Sequence, residues 1–181
     1  MTPPRAVYIT LVLAGTLAPP AVAASQAYRL TPESGEVAFR AYGMGLLPID
    51  GAFTRFRGTL TLDSASPAAC AISLKADAAS LRMPQPGMTA DALGPDLLDV
   101  TRFPDFAFDG RCDGTTLRGT LLLHGVSRPL ALQVAVQDGR WMATGTMQRA
   151  EWGMGARPLL AGPTVRLRVT AVLPPGFAVA P

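Results

Sequence analysis

The stretch LRGTLLLHGVSRPLALQV, Leu117 to Val134, decides the architecture. Leu117, Gly119, Leu121 and Leu123 alternate with polar or exposed-compatible neighbours, and after a break Leu130, Leu132, Val134 and Val136 do the same. Period-two alternation is the mark of a strand with one buried face. The six residues between, His124-Gly125-Val126-Ser127-Arg128-Pro129, carry turn chemistry, so the two strands form an antiparallel pair.

The same pattern extends in both directions. Val37, Phe39 and Ala41 form one apolar face; Leu60 and Leu62, then Ile72, Leu74 and Ala76, form two more. Phe106 and Phe108 precede the quoted stretch, and Trp141, Ala143, Gly145, Met147 and Arg149, then Val165, Leu167, Val169 and Ala171, follow it. Turn residues separate these runs at Asp63 to Pro67, Asp109 to Thr115 and Asp138-Gly139, the last a two-residue hairpin signal. About eight antiparallel strands with short connections must hide their edges, and closure into a barrel does so. The chain is therefore expected to be all-β, an eight-stranded antiparallel barrel.

Three stretches lack the alternation. Tyr42 to Gly51, with Gly43, Gly45, Pro48 and Gly51, is expected to be a loop; so is Met154 to Pro163. Arg82 to Val100 carries Pro84, Pro86 and Pro95, with helical turns expected only over Ala90 to Leu98 and Thr89 as their N-cap. A connection of that length in a compact domain usually covers something.

Composition agrees and excludes alternatives. The 181 residues are 49% apolar and 16% charged, which fits one folded domain rather than disorder. Eighteen glycines and seventeen prolines favour short elements. The net charge is +3, and the arginines are scattered singly, whereas a nucleic-acid surface needs them clustered. One histidine, His124, and two cysteines are too few for most metal sites or for a Cys-His nucleophile pair. His124 reads as a solvated turn residue, Ser127 has no base beside it, and Asp96 and Asp99 suit capping or solvation. No enzyme, cofactor or metal is therefore expected.

Residues 1–24 read as a secretory signal peptide: Arg5, an apolar run from Ala6 to Ala18, and small residues at Ala21-Val22-Ala23-Ala24. That run of about 13 residues falls short of the ~20 needed to cross a bilayer, so no stable membrane anchor is expected. The domain would occupy residues 25–173 and a frayed tail 174–181, with the mature protein outside the cytoplasm.

Inside the barrel, large inward groups (Phe39, Phe106, Phe108, Trp141, Met147) mix with small ones (Ala41, Gly119, Ala143, Gly145). Small inward groups leave room for an apolar cavity bordered by Phe39, Phe108, Leu121, Leu132, Trp141, Gly145 and Met147. The same residues also fit a solid core in which the glycines only let strands bend. Arg149 shares the inward parity and needs a partner: a carboxylate such as Glu151 or Asp105, or a ligand head group. Met44, Met83, Met88 and Met154 suit an adaptable apolar entrance.

The two cysteines are expected to pair. Export places Cys70 and Cys112 in an oxidising compartment, and each falls in step with the inward residues of its own strand. If the two strands lie antiparallel, the start of one faces the end of the other. Two separate buried thiols are the alternative.

Four segments in order, GAFTRFRGTLTLD (Gly51 to Asp63), LLDVTRFPDFAFDG (Leu97 to Gly110), LRGTLLLHGVSRPLALQV and QRAEWGMG (Gln148 to Gly155), resemble the YceI-like family of bacterial periplasmic proteins. The resemblance spans about Tyr28 to Leu173 and implies a lipocalin-like barrel that binds a long apolar molecule, a polyisoprenoid, an isoprenoid quinone or a fatty amide. The family commonly has an aspartate and a histidine-serine pair where this chain reads TPESGEVAF (Thr31 to Phe39), and a double phenylalanine where it has Leu97-Leu98. These departures bear on the ligand more than on the fold. Function is thus expected to be periplasmic binding or transport of an isoprenoid-type lipid. The alternative is a structural or interaction barrel serving a membrane redox or stress complex, with a membrane redox protein as partner and a homo-oligomer left open.

Overall fold

A computed structural model of the protein describes residues 25–43, 46–63, 69–156 and 162–174. The proposed signal peptide, Met44 and all of the tail but Pro174 lie outside the described residues. Eleven strands and one helix follow in the order β1 (Ser25–Leu30), β2 (Gly35–Gly43), β3 (Leu47–Phe53), β4 (Phe56–Asp63), β5 (Cys70–Asp77), β6 (Leu81–Arg82), α1 (Pro86–Leu93), β7 (Asp105–Asp113), β8 (Thr116–Leu123), β9 (Val126–Gln137), β10 (Arg140–Gln148) and β11 (Thr164–Val172). They form one antiparallel sheet in the order β1-β4-β5-β7-β8-β9-β10-β11-β2-β3-β6, curled around a single core. Its two ends, β1 and β6, are not paired with each other among the described residues. The all-β antiparallel expectation holds; the closed eight-stranded barrel becomes a curled half-barrel of eleven strands.

All eight strands expected from alternation are present. The three additional ones lack a readable pattern for local reasons. β3 contains Pro48 and Gly51, which read as loop. Its outer side is paired only at Ala52 and Phe53, by the two residues of β6, so the rest is sheet edge, where proline is tolerated. Gly51 lets the Phe39 ring lie across the strand: a Cβ there would fall 2.5 Å from the ring and force it to shift. β1 is exposed along most of its length and so shows no apolar face, and β6 is too short for a pattern.

Turns are tighter than the sequence suggests. The β8–β9 turn is only His124 and Gly125, both at positive φ, and the strand resumes at Val126. Pro129 fits inside β9 because β10 pairs only with Gln133 to Gln137, leaving the earlier part of β9 with one neighbour. Asp138-Gly139 is the expected hairpin turn, again with positive φ at both residues. β7 runs on to Asp113 rather than turning from Asp109, since Gly114 is the first residue that needs a left-handed backbone.

In the crossing loop the helix lies over Pro86–Leu93, so it starts before the expected turns and shares only Ala90 to Leu93 with them. Pro86 sits in the first turn, where a missing N–H costs nothing, so the proline is placed where a helix can start. The Thr89 hydroxyl accepts a hydrogen bond from Met83 N (3.2 Å) instead of capping.

The curl is fastened where β3 bends into β4. Ser80, fully buried, accepts from Arg55 N at 3.0 Å and donates to the Asp77 carbonyl at 2.7 Å, while Thr54 N donates to the Ser80 carbonyl at 3.2 Å. Cys70 and Cys112 form the expected disulfide, with Cα atoms 4.8 Å apart, rather than two separate thiols. They face each other across β5 and β7, in register with the pair Ala71 and Arg111.

Candidate functional site

Strand direction divides the interior into two ends. The starts of β5, β8 and β10 and the finishes of β4, β7 and β11 lie together at the disulfide end. That end is solid: Leu60, Leu62, Leu117 and Trp141 have no exposure, and Cys70, Ile72 and Ala171 are nearly as buried. The other end is hollow. There an apolar cavity of about 310 Å³ opens between β2, β11, β10, β8, β7 and the crossing loop. A volume at the low end of the range for ligand pockets, with almost wholly apolar walls, makes this the candidate site. A depression of about 580 Å³ on the outer face, lined by Thr59, Ala71, Ser73, Asp109, Arg111 and Arg118 among others, mixes polar and apolar groups and is shallow.

Of the residues expected to border the cavity, Phe39, Phe108, Leu121, Leu132, Met147 and Arg149 do so. Trp141 and Gly145 do not. Trp141 points inward as its parity required, but it lies at the solid end, opposite Ala171 and Val136. Gly145 leaves no free space: a Cβ there would meet Leu132 Cδ2 at 2.5 Å and the Ala131 carbonyl oxygen at 2.9 Å. It lets Leu132 lie close to β10, so a tryptophan at 145 would collide with backbone rather than fill a void.

Sequence reasoning missed Phe53, at the end of β3 and two residues past the stretch read as loop. Its ring meets Phe106 edge-on (centroids 4.6 Å apart) and Phe39 at 6.1 Å, continuing the aromatic wall. Met83, Met88 and Met154 all border the cavity, with Leu97 and Leu98 from the crossing loop. No residue of α1 is buried, so the helix lies over the cavity without sealing it.

Arg149 lies just past β10, in a 3-10 turn over Arg149–Trp152. Only 5% exposed, it donates from Nε to the Gly162 carbonyl (2.9 Å) and from a terminal nitrogen to the Met154 carbonyl. Burial lowers the pKa of its guanidinium from the ordinary value. Asp105, one carboxylate expected to meet it, pairs with Lys75 at 2.7 Å.

The turn that carries Arg149 is held by His124, which is not the solvated residue expected. Its Nδ1 lies 3.1 Å from the Trp152 carbonyl oxygen, its ring packs on Phe103 with centroids 4.4 Å apart, and Nε2 is buried without a hydrogen-bond partner among the described residues. Trp152 in turn donates from Nε1 to the Leu121 carbonyl at 3.2 Å. These contacts are invisible in sequence because they join a hairpin to a turn 28 residues away. Among the described residues no group of three or more His, Cys, Asp or Glu could hold a metal ion, and no helix is long and apolar enough to cross a membrane.

Comparison with known proteins bears on this geometry. Residues 28–173 match the YceI-like domain. A UPF0312 protein of Shewanella oneidensis is 26% identical over 145 residues, 75% of each chain, whereas several other curated relatives are matched over only about half their length. Among solved structures, BcnA of Burkholderia cenocepacia aligns with a TM-score of 0.64 at 17% identity, covering 75% of this chain and 94% of that one. A polyisoprenoid binding domain from Saccharophagus degradans aligns with a TM-score of 0.55 at 16% identity, covering 77% and 94%. At these identities the likeness shows the fold.

Proposed function

Since the chain belongs to the YceI-like family, we propose that it binds one apolar lipid of the isoprenoid type, a polyisoprenoid or an isoprenoid quinone, in the cavity at the hollow end. It acts as a binding or carrier protein outside the cytoplasm rather than as an enzyme. The observation that carries this reading is the cavity itself, about 310 Å³ with walls of Phe, Leu, Val and Met side chains. Such walls gain about 25 cal/mol for each Å² of apolar ligand surface taken from water, and offer little to a polar substrate. The binding named for the Saccharophagus degradans neighbour is of the same chemical kind. Residues 1–24, read as a signal peptide, support export.

Native mass spectrometry of the protein purified from its host, with gentle desolvation, tests the reading. A retained mass that extracts into organic solvent is expected. An apo mass under the same conditions, together with no uptake of added prenols, overturns it and favours an interaction barrel serving a membrane complex.

A further inference from the structure

The lipid-binding reading leaves open how much of a long chain the protein takes up, and three features of the interior bear on that. The first is volume. At roughly 30 Å³ per non-hydrogen atom, the share a water molecule takes in the liquid, about 310 Å³ encloses about ten such atoms. An extended polyisoprenoid exceeds this several-fold.

The second is that the deep end is filled. Trp141, Leu117 and Leu62 are completely buried there and none borders the cavity, and the disulfide ties β5 to β7 behind them. A chain entering at the hollow end therefore stops inside the barrel instead of threading through it.

The third is where the polar groups lie. Asp91, Arg149 and Arg168 are the charged residues at the cavity wall. Asp91 belongs to α1, and Arg149 follows the last residue of β10, so both stand at the mouth. Arg168 alternates with inward Leu167 and Val169 and sends its guanidinium outward to Glu36 at 3.1 Å. Trp141 Nε1, which has no hydrogen-bond partner among the described residues, belongs to the solid end and does not border the cavity. A hydroxyl or carboxylate driven to the deep end would find no partner there, which is costly.

We propose that the cavity is a pocket for a chain terminus: it takes about ten non-hydrogen atoms of one apolar chain, tail first, with the polar end directed to the mouth beside α1 and Arg149. Medium-length prenyl or acyl chains are enclosed whole. Longer ones are held by their last segment while the remainder lies outside, available to a membrane or a second protein. This rests on the lipid-binding reading.

A chain-length series tests it. Straight-chain primary alcohols of increasing length, and geraniol, farnesol and geranylgeraniol, are titrated into the protein by isothermal calorimetry or competitive displacement of a fluorescent probe. Affinity should rise about fourfold for each added methylene until the chain reaches about ten carbons, then level off. V169F, placed at the deep end of the cavity on β11, should move the break to a shorter chain without changing the slope before it. Affinity that keeps rising to the longest alcohols overturns the inference and leaves lipid binding standing. A break unmoved in folded V169F overturns the placement of the chain at the deep end, and if V169F does not fold, the wild-type break decides the capacity alone. Orientation is read from α,ω-diols, which should bind far more weakly than primary alcohols of equal length; equal affinity overturns the tail-first entry. No binding by any chain overturns the lipid-binding reading and this inference with it.

Discussion

Trp141 and Met147 stand on one strand, share its inward face and are both buried, yet Trp141 belongs to the solid end and Met147 borders the cavity. At the end where Trp141 lies, Leu60, Leu62 and Leu117 also have no exposure, and the disulfide ties β5 to β7 there. Around Met147, the walls are Phe, Leu, Val and Ala side chains, and the cover is a helix without a buried residue. One half of the interior is thus packed to resist deformation, and the other is left incompletely filled. A binding barrel needs both, because a cavity lined by unsupported strands would collapse on its own apolar walls.

The largest effect that would sharpen this contrast is truncation at the solid end. Trp141→Ala should destabilise by up to about 5 kcal/mol, because a closely packed site cannot relax around the lost ring. Met147→Ala should cost about 2 kcal/mol, the low end for such a change, since it already borders empty space. Thermal melting of both variants checks this, and equal losses would erase the distinction between the two ends.

Next is the disulfide. Replacing Cys70 and Cys112 with alanine together releases a loop with a sequence separation of 42, worth roughly 4 kcal/mol on the loop-entropy account and less if the native bond is strained. Denaturant midpoints should fall while ligand stoichiometry stays unchanged, since neither cysteine borders the cavity. Loss of binding in a folded double variant would show that the solid end shapes the hollow one directly.

Arg149→Met keeps an unbranched, largely apolar stem but removes the donors to the Gly162 and Met154 carbonyls. About 1–3 kcal/mol of stability should go with them, together with faster ligand release, measured by stopped-flow displacement.

The smallest effect is at the corner between β3 and β5. Asp77 accepts from Arg55 at 2.6 and 2.9 Å, and these hydrogen bonds, with a lesser one from Ala79 N, hold its carboxyl below the ordinary aspartate value of 3.8. A depressed carboxylate pKa adds stability that is complete above the unfolded value and disappears as pH falls through the folded one. Both partners are substantially exposed, so the gain is below about 1 kcal/mol. Asp77→Asn should therefore lower the melting temperature slightly at neutral pH and not at all once the pH has fallen below the lowered pKa of the folded state, a difference that calorimetry across the acid range resolves.

Alternation along each segment carried much of this molecule. It placed Leu121, Leu132, Phe39, Phe108 and Met147 on the inner face, brought Cys70 and Cys112 to one side of the sheet, and located the Asp138-Gly139 turn, because in a strand the side-chain period is fixed by the backbone alone. What alternation cannot carry is height along the barrel. Whether an inward residue fills the solid end, as Trp141 does, or borders the cavity, as Met147 does, depends on the register of strands distant in sequence. The same holds for β3, whose Pro48 and Gly51 read as loop until an exposed edge and the Phe39 ring explain them. It holds too for His124, which sequence places in a turn and which only the packing of Phe103 and Trp152 draws inward. Face is a property of one strand; depth, space and partners are set only when strands far apart in the chain meet.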